Sequence, residues 1–348
     1  MRALLMTEVG QLELREVPDP EEAPPGWVTI RTLATSAGLF HTQMLKGVLD
    51  PGGLPRILGH EIVGEVVASS NSASVGGLAV VDPVIGCGAC PWCINGDENM
   101  CPDMHHLGID LDGGFAEYVL VPEGNVFGIP AGTPIQEAIM LCSVLPASTH
   151  AVRRSAMGHG ARVVVSGIGS IGLAVCQLVR ALGAATVIAA DVSDERLETA
   201  APWVDGSLNI KAMDTAEAVA SLRQLGGEPE GVDLAFDTAG ARTSLDTAIQ
   251  VVRPGGTALL MGLIDGPVAI EFADYMSSFM RRELTIRSTF GFTRKDFLIG
   301  NALYVGGRLD LRPLGGDVIP LEGVPEALAT IGRVGTGGKR YVVHVADA

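Results

Sequence analysis

Apolar positions change their spacing twice along the chain. Over residues 1–83 they come in short runs, at 3–6, 12–15, 27–33 and 61–68, broken by the proline-rich stretch 18–25. Such runs predict strands of a β-rich, partly open barrel. Residues 87–101 show little periodicity and predict a loop held by something other than packing. Strand character returns over 114–129, and 137–157 is apolar at helical spacing with Pro146 inside it. Beyond residue 162 the pattern alternates. Strands are expected at 163–165, 207–210, 232–237, 257–261 and 284–287, and helices at 193–201, 215–225 and 245–252, which is the signature of a parallel sheet covered on both faces. After Phe290 the segments are shorter and richer in glycine, and the closing KRYVVHV is a strand in need of a sheet, assigned here to the first domain. No internal repeat or low-complexity segment is visible.

The stretch at 162–191, RVVVSGIGSIGLAVCQLVRALGAATVIAAD, reads as strand, glycine turn, helix and second strand. Gly167 and Gly169 let the backbone turn tightly and approach a pyrophosphate, Gly172 allows close packing of helix on strand, and the helix N-terminus faces phosphate charge. A glycine triplet alone is weak evidence. Here the strand before it, the helix after it and an acid nineteen residues past Gly172 agree. A carboxylate at Asp191 accepts hydrogen bonds from ribose hydroxyls and repels a 2′-phosphate, so the dinucleotide reads as NAD(H) rather than NADP(H).

Composition narrows the partners. At 348 residues the chain exceeds the usual size of a single core, and two domains are expected. A formal net charge of -16 argues against nucleic acid and anionic membrane surfaces and leaves a small molecule as the natural partner. No apolar run approaches a membrane span and the first residues lack a signal-peptide core, so a cytoplasmic protein is expected.

Four of the six cysteines, Cys87, Cys90, Cys93 and Cys101, stand as C-x2-C-x2-C-x7-C. Thiolates at that spacing can close a tetrahedral shell around zinc and pin a loop without a core. An iron–sulfur cluster is the rival suggested by C-x2-C-x2-C and by Pro102, although ferredoxin runs place the fourth cysteine three residues on. A redox dithiol would need only one pair.

Taken together, LGHEIVGEV (58–66), GCGACPWCINGDENMC (86–101), DGGFAEYVLVP (112–122), the glycine turn with Asp191, VRPGGTALLMGL (252–263) and GKRYVVHV (338–345) resemble the medium-chain dehydrogenase/reductase superfamily, in its zinc-containing alcohol dehydrogenase-like branch. The resemblance covers nearly the whole chain. It implies an α/β protein: a GroES-like β-rich catalytic domain over 1–150, to which 288–348 returns, and a doubly wound Rossmann NAD-binding domain over 151–287. It also implies a homodimer or homotetramer, a structural zinc remote from the chemistry, and a cofactor set of Gly167, Gly169, Ser170, Ile171, Gly172, Asp191, Arg196, Thr238, Gly262 and Leu263. Thr238 and Gly240 follow the fourth strand, Gly262 and Leu263 the fifth; their plain alternative is strand-end turn chemistry.

The same branch holds a catalytic zinc through a cysteine on an early loop, the histidine of G-H-E and a cysteine or acid near the start of the coenzyme domain. His60, with Glu61, and Cys142 match. The early cysteine does not: the chain reads SAGLFHTQMLKG (36–47), so that counting back from Gly47 puts Gly38 or Ala37 at the ligand position and matching FHTQ puts Phe40 there. His41 could coordinate instead, or Glu61 could swing in. The plain alternative is that His60 makes core hydrogen bonds, Cys142 packs as a small hydrophobe and no second zinc binds. Thr42 is the candidate hydroxyl for proton transfer, with His41 as a relay. Upstream of the lobe the family's G-D-R-V is replaced by Gly77-Leu78-Ala79-Val80.

Three functions follow as expectations. The first is NAD(H)-dependent interconversion of an alcohol and an aldehyde or ketone by hydride transfer, with zinc polarising the oxygen. The second is zinc-independent reduction of an already polarised enal, enone or iminium ion, with His41, Thr42 or water delivering the proton. The third is a non-catalytic nucleotide-binding relative. Apolar candidates for the substrate pocket are Phe40, Met44, Trp92, Leu111 and Phe290.

Overall fold

The computed structural model describes the chain at every position except 51, 70–75, 228–229, 265, 335–339 and 347–348, with backbone alone at 332–334. Gly338 and Lys339 of the closing motif lie outside the described residues. In chain order the elements are β1 (Arg2–Glu8), β2 (Gln11–Glu16), β3 (Trp27–Ala37), α1 (Leu39–Leu45), β4 (Arg56–Ile57), β5 (Ile62–Ser69), β6 (Leu78–Val81), β7 (Val84–Ile85), α2 (Pro91–Asn95), β8 (His105–His106), β9 (Tyr118–Pro122), β10 (Val126–Gly128), α3 (Ile135–Cys142) and α4 (Val144–Arg154). Then come β11 (Arg162–Ser166), α5 (Ser170–Ala181), β12 (Thr186–Asp191), α6 (Asp194–Ala200), β13 (Gly206–Asn209), α7 (Thr215–Leu225), β14 (Val232–Asp237), α8 (Arg242–Val251), β15 (Val252–Leu260), α9 (Tyr275–Ser278), β16 (Thr285–Ser288), α10 (Arg294–Val305), β17 (Asp317–Pro320), α11 (Val324–Val334) and β18 (Tyr341–His344). They form two compact bodies, residues 1–146, 291–305 and 311–348 in one, 147–290 and 306–310 in the other.

The first body is organised around β3. Its leading residues alternate between half-buried and buried, and from Thr32 to Ala37 every side chain is buried, because both faces of the strand are covered there. The seven-stranded sheet runs β10-β6-β5-β3-β18-β17, with β9 on β3 as well. Residues 27–31 of β3 pair with β9 and residues 34–37 with β18, so the end of the chain completes the same sheet as its beginning. A smaller sheet, β2-β1-β4, packs with α1 and α11 around Met6, Met44, Leu58, Phe115 and Leu328.

The second body is a six-stranded parallel sheet, β13-β12-β11-β14-β15-β16. Strand order reverses between β11 and β14, the arrangement in which dinucleotides bind at the carboxyl ends of the strands. Val164, Ile188, Ala190, Leu222, Ala235 and Ala248 are among the fully buried residues of its core.

Local chemistry corrects several expectations. The helical pattern at 137–157 is two helices, interrupted at Ser143 (φ -144, ψ -47). Pro146 is the reason: it has no N–H to bond the Cys142 carbonyl, and its ring is tolerated only in the first turn of a new helix. The loop at 87–101 contains α2, started by Pro91 behind the Cys90 cap. Two longer helices follow Phe290 where only short segments were expected. Thr293 and Asp296 cap α10, the Thr293 amide donating to the Asp296 carboxylate at 3.0 Å and the hydroxyl at 2.7 Å. Burial of Val324, Ala327, Leu328 and Ile331 gives α11 its core-facing stripe. No described helix is long and apolar enough to cross a membrane.

Candidate active site, coenzyme cradle and metal centre

The glycine turn is built as a cradle. A Cβ at Gly172 would fall on the Gly167 carbonyl oxygen, and one at Gly262 on the Gly240 amide, so both crossings need glycine. Gly169 caps α5 without a side chain, so the first-turn N–H groups of Ile171 and Gly172 stand at the helix N-terminus. Thr238 donates its hydroxyl to the carbonyls of Ser166 and Gly167 and ties the turn to the end of β14. Asp237 accepts from Ala239 N–H at 3.1 Å, Gly240 N–H at 3.2 Å and Ser244 hydroxyl at 2.8 Å. Leu263 is half exposed. Glycine crossings that any Cβ would fill, an uncapped helix end and an acid at the end of β12 fit a dinucleotide.

Asp191 is more heavily engaged than the sequence suggests. Its Oδ2 accepts from Ile168 N–H at 2.6 Å and from Arg196 Nε at 3.1 Å. Its Oδ1 accepts from Ser193 N–H at 2.9 Å and from the Arg196 guanidinium. The carboxylate therefore carries a cation on it, and part of its charge is offset.

In the cysteine lobe the four sulfurs of Cys87, Cys90, Cys93 and Cys101 all lie within 4.8 Å of one another. A tetrahedral zinc with bonds near 2.3 Å needs sulfurs about 3.8 Å apart, so the set fits that ion with little adjustment. Backbone N–H groups point at sulfur, Cys87 N–H at Cys101 at 3.4 Å and Cys90 N–H at Cys87 at 3.3 Å. Amides of Ala89 and Cys90 hold the Cys87 thiol down to about 7, toward the thiolate that a metal requires. These cysteines fit a structural zinc site.

His60 sits in a different environment. Gly59 adopts φ +94, and a Cβ there would lie 2.8 Å from the Phe115 amide, so the loop can bring His60 down beside the core only through glycine. Around the His60 ring stand His41, stacked with centroids 4.9 Å apart, Phe40, edge-on at 4.9 Å, and His106, edge-on at 5.6 Å. Burial holds all three imidazoles below the usual histidine range, and His60 and His41 well below it. His41 Nδ1 accepts from Gly38 N–H at 3.3 Å, and its Nε2 is buried without a partner. Thr42 spends its hydroxyl on the Leu39 carbonyl at 2.6 Å. Glu61, fully buried, is held by Ser36 and by the Arg340 guanidinium. Cys142 donates its thiol to the Ile62 carbonyl at 3.3 Å, and burial pushes it up, away from thiolate.

A catalytic zinc does not fit this arrangement. Among the described residues the cysteine lobe is the only group of three or more histidine, cysteine or acidic side chains placed to share an ion. His41 and His60 stack instead of converging, and Glu61 holds Ser36 and Arg340 through Oε2, leaving only its buried Oε1 without a partner. Sequence reasoning brought His41, His60, Glu61 and Cys142 to one neighbourhood but missed three of its members. His106 was hidden in an unremarkable HHLG, Arg340 lay in the closing motif with no partner in view, and Ser36 stood only as the first residue of the early loop. Of the apolar candidates, Phe40 touches His60, Met44 is core, and Trp92 and Phe290 are exposed.

Comparison with known proteins places the fold. Residues 24–131 match the alcohol dehydrogenase GroES-like domain and residues 170–300 the zinc-binding dehydrogenase family. A probable zinc-binding alcohol dehydrogenase of Mycobacterium tuberculosis (strain ATCC 25618 / H37Rv) is 31% identical over 340 residues, 95% of this chain and 85% of that protein. The chain belongs to the zinc-binding alcohol dehydrogenase family. D-xylulose reductase A of Aspergillus oryzae (strain ATCC 42149 / RIB 40) is 29% identical over 299 residues, 84% of this chain and 81% of that protein. The crystal structure of a Sinorhizobium meliloti 1021 protein, described as a zinc-binding dehydrogenase and bound to NADP, superposes with a TM-score of 0.89 at 28% identity over 99% and 98% of the two chains. Like its family, the chain pairs a GroES-like domain with a Rossmann-type parallel sheet. It is an oxidoreductase of the alcohol dehydrogenase type, interconverting alcohols and carbonyl compounds.

Proposed function

We propose that the chain is an NAD(H)-dependent alcohol–ketone oxidoreductase with a secondary alcohol or polyol as substrate, a class suggested by its likeness to a D-xylulose reductase. The carrying observation is the coenzyme cradle: glycine-only crossings at Gly172 and Gly262 beside an uncapped α5, with Asp191 at the end of β12. When bound, the dinucleotide supplies or accepts the hydride. The first-turn amides of α5 take the pyrophosphate, Asp191 takes the ribose hydroxyls, and Thr238, Gly262 and Leu263 line the far half of the coenzyme. Arg196 tempers the preference for NAD(H), because a guanidinium beside Asp191 softens the repulsion of a 2′-phosphate, and the Sinorhizobium relative was crystallised with NADP. Thiolates that must stay reduced favour a cytoplasmic location, and the family's habit favours a homodimer or homotetramer.

A second reading, reduction of a substrate already polarised by conjugation, is favoured by one observation: no three donors converge near His60. Two measurements test the function. Turnover of NADH with a panel of ketones, enals and polyols decides enzyme and substrate class. Fluorescence titration of Asp191→Ala should show NADH affinity falling about tenfold and NADPH affinity falling less; equal losses would overturn the assigned role of Asp191.

A further inference from the structure

Two arginines of the second body stand together without a counter-ion. Arg223 lies in the last turn of α7, and Arg282 ends a short turn before β16. Both reach the carboxyl end of α8: Arg223 Nη2 donates to the Gln250 carbonyl at 2.7 Å, and Arg282 Nη2 donates to the same carbonyl at 3.3 Å and to that of Val252. The plain account is a pair of cations at the negative end of a helix. It covers only part of the charge, because a helix end offsets about half an elementary charge. A guanidinium also donates from Nε and Nη1. Among the described residues neither nitrogen of either arginine has a protein acceptor, and Arg223 Nε is buried. No described carboxylate forms an ion pair with them: Asp246 is taken by Arg242 at 3.0 Å, and the exposed Glu271 pairs with neither. Burial holds both guanidiniums below the usual arginine range, and Arg223 lowers Arg282 further. Half-buried cations with unused donors call for an anion.

The two arginines line a cavity of about 170 Å³ whose apolar walls are Ile249, Ile270 and Phe272. Ile249 is buried, and Phe272 is braced against Phe279 with ring centroids 4.8 Å apart. An apolar hole of about 150 Å³ is enough for benzene, so one ring or a short aliphatic chain fits. We propose that this cavity binds a small organic monocarboxylate, its charged end bridging Arg223 and Arg282 and its apolar body lying against Ile249, Ile270 and Phe272. Planar guanidinium forks match a carboxylate in two parallel hydrogen bonds. The apolar walls favour a hydrocarbon body over a bare inorganic anion. Asp246 and Glu271 also line the cavity and repel a second negative charge, which selects a singly charged ligand. The site is separate from the coenzyme cradle. β15 begins at Val252, beside the arginines, and leads toward Gly262 of the cradle, so the two lie at opposite ends of one strand, about 25 Å apart. The ligand therefore does not compete with coenzyme, and the site stands whatever reaction the chain performs.

The test is calorimetric titration of the purified full-length protein with benzoate, with benzyl alcohol and inorganic phosphate as comparisons. Benzoate should bind saturably at one site per chain, and the other two should bind at least about tenfold more weakly. Arg282→Lys keeps the charge but loses the fork, and should weaken benzoate about tenfold. The double variant Arg223→Met, Arg282→Met should not bind it. Ala273→Trp, which crowds the cavity and leaves both cations in place, should also lose benzoate while its thermal unfolding matches the wild type; this variant separates an emptied site from a misfolded chain. Equal affinity for phosphate and benzoate would make the arginines a general anion patch and overturn the proposal. So would benzoate binding that survives the double variant or Ala273→Trp. A wild type that takes no benzoate at millimolar concentration overturns it too, and a change of oligomer size in the double variant would then assign the two cations to a contact between copies of the chain.

Discussion

The cysteine lobe and the surroundings of His60 contain the same kinds of side chain and do opposite things with them. In the lobe, four sulfurs converge and backbone amides point at Cys87, Cys90 and Cys101; amides hold the Cys87 thiol down to about 7, while burial pushes the metal-free Cys93 thiol up to about 12. Around His60, the Cys142 thiol faces a carbonyl, His41 Nδ1 takes an amide and Glu61 Oε2 binds a guanidinium, and although Glu61 Oε1 has no partner, no three donors converge there among the described residues. Ligand identity alone does not make a metal site. Whether the neighbours stabilise the deprotonated, converging form decides it.

The largest effect should come from the lobe. It has no core of its own, with Trp92, Ile94 and Met100 exposed, so zinc supplies on the order of 10 kcal/mol of local folding energy. Cys101→Ser or a strong chelator should remove the zinc and abolish amide-exchange protection across residues 87–101. Retained protection without metal would erase the contrast between the two regions.

Next in size is Glu61→Gln. The substitution leaves the Arg340 guanidinium, largely buried, without its counter-charge, which should cost about 3–5 kcal/mol in urea unfolding without releasing any metal. A variant that instead loses zinc would make Glu61 a ligand.

This pair also shows what could be read from the sequence and what could not. The cysteine spacing, the glycine turn and the Rossmann strands are local: each is written within about thirty consecutive residues, and strand β14 and helix α7 fall at their expected ends. The His60 neighbourhood is not local. Glu61 meets Arg340 across 279 residues, and His106 and Phe40 reach His60 only because β3, β5 and the 59–60 loop fold together. Spacing offered two alignments for the early loop. The structure makes Gly38 the start of α1, a choice that depends on the capping of a seven-residue helix. The capping signal Thr293-x-x-Asp296 was legible for α10 but was masked by its glycine-rich surroundings.

A smaller effect separates two buried carboxyls. Glu61 has a guanidinium, whereas Asp82 receives the Val84 amide at 3.0 Å and is pushed up to about 7 by burial. A carboxyl whose folded pKa lies above its unfolded value favours the folded state below the unfolded value, near 4. That advantage is lost as pH rises through about 7. Asp82→Asn should therefore stabilise the protein by about 1–3 kcal/mol at pH 8 and have little effect near pH 4. A wild-type urea midpoint that does not fall between pH 5 and pH 8 would contradict the burial assigned to Asp82.

The smallest expected change is the most informative about the comparison. Gly38 has φ -155, extended backbone open to any residue, so Gly38→Cys should fold normally and place a thiol at the start of α1. If one absent sulfur were the whole difference between the two regions, this variant would bind a second zinc. The geometry says otherwise: the new side chain would project toward Arg340, His41 Nε2 would still carry its proton, and Cys142 would still face a carbonyl. The zinc count should stay at one. It should rise only when Arg340 is also removed, because the double variant Gly38→Cys, Arg340→Met frees Glu61 and takes away the cation that opposes an incoming metal.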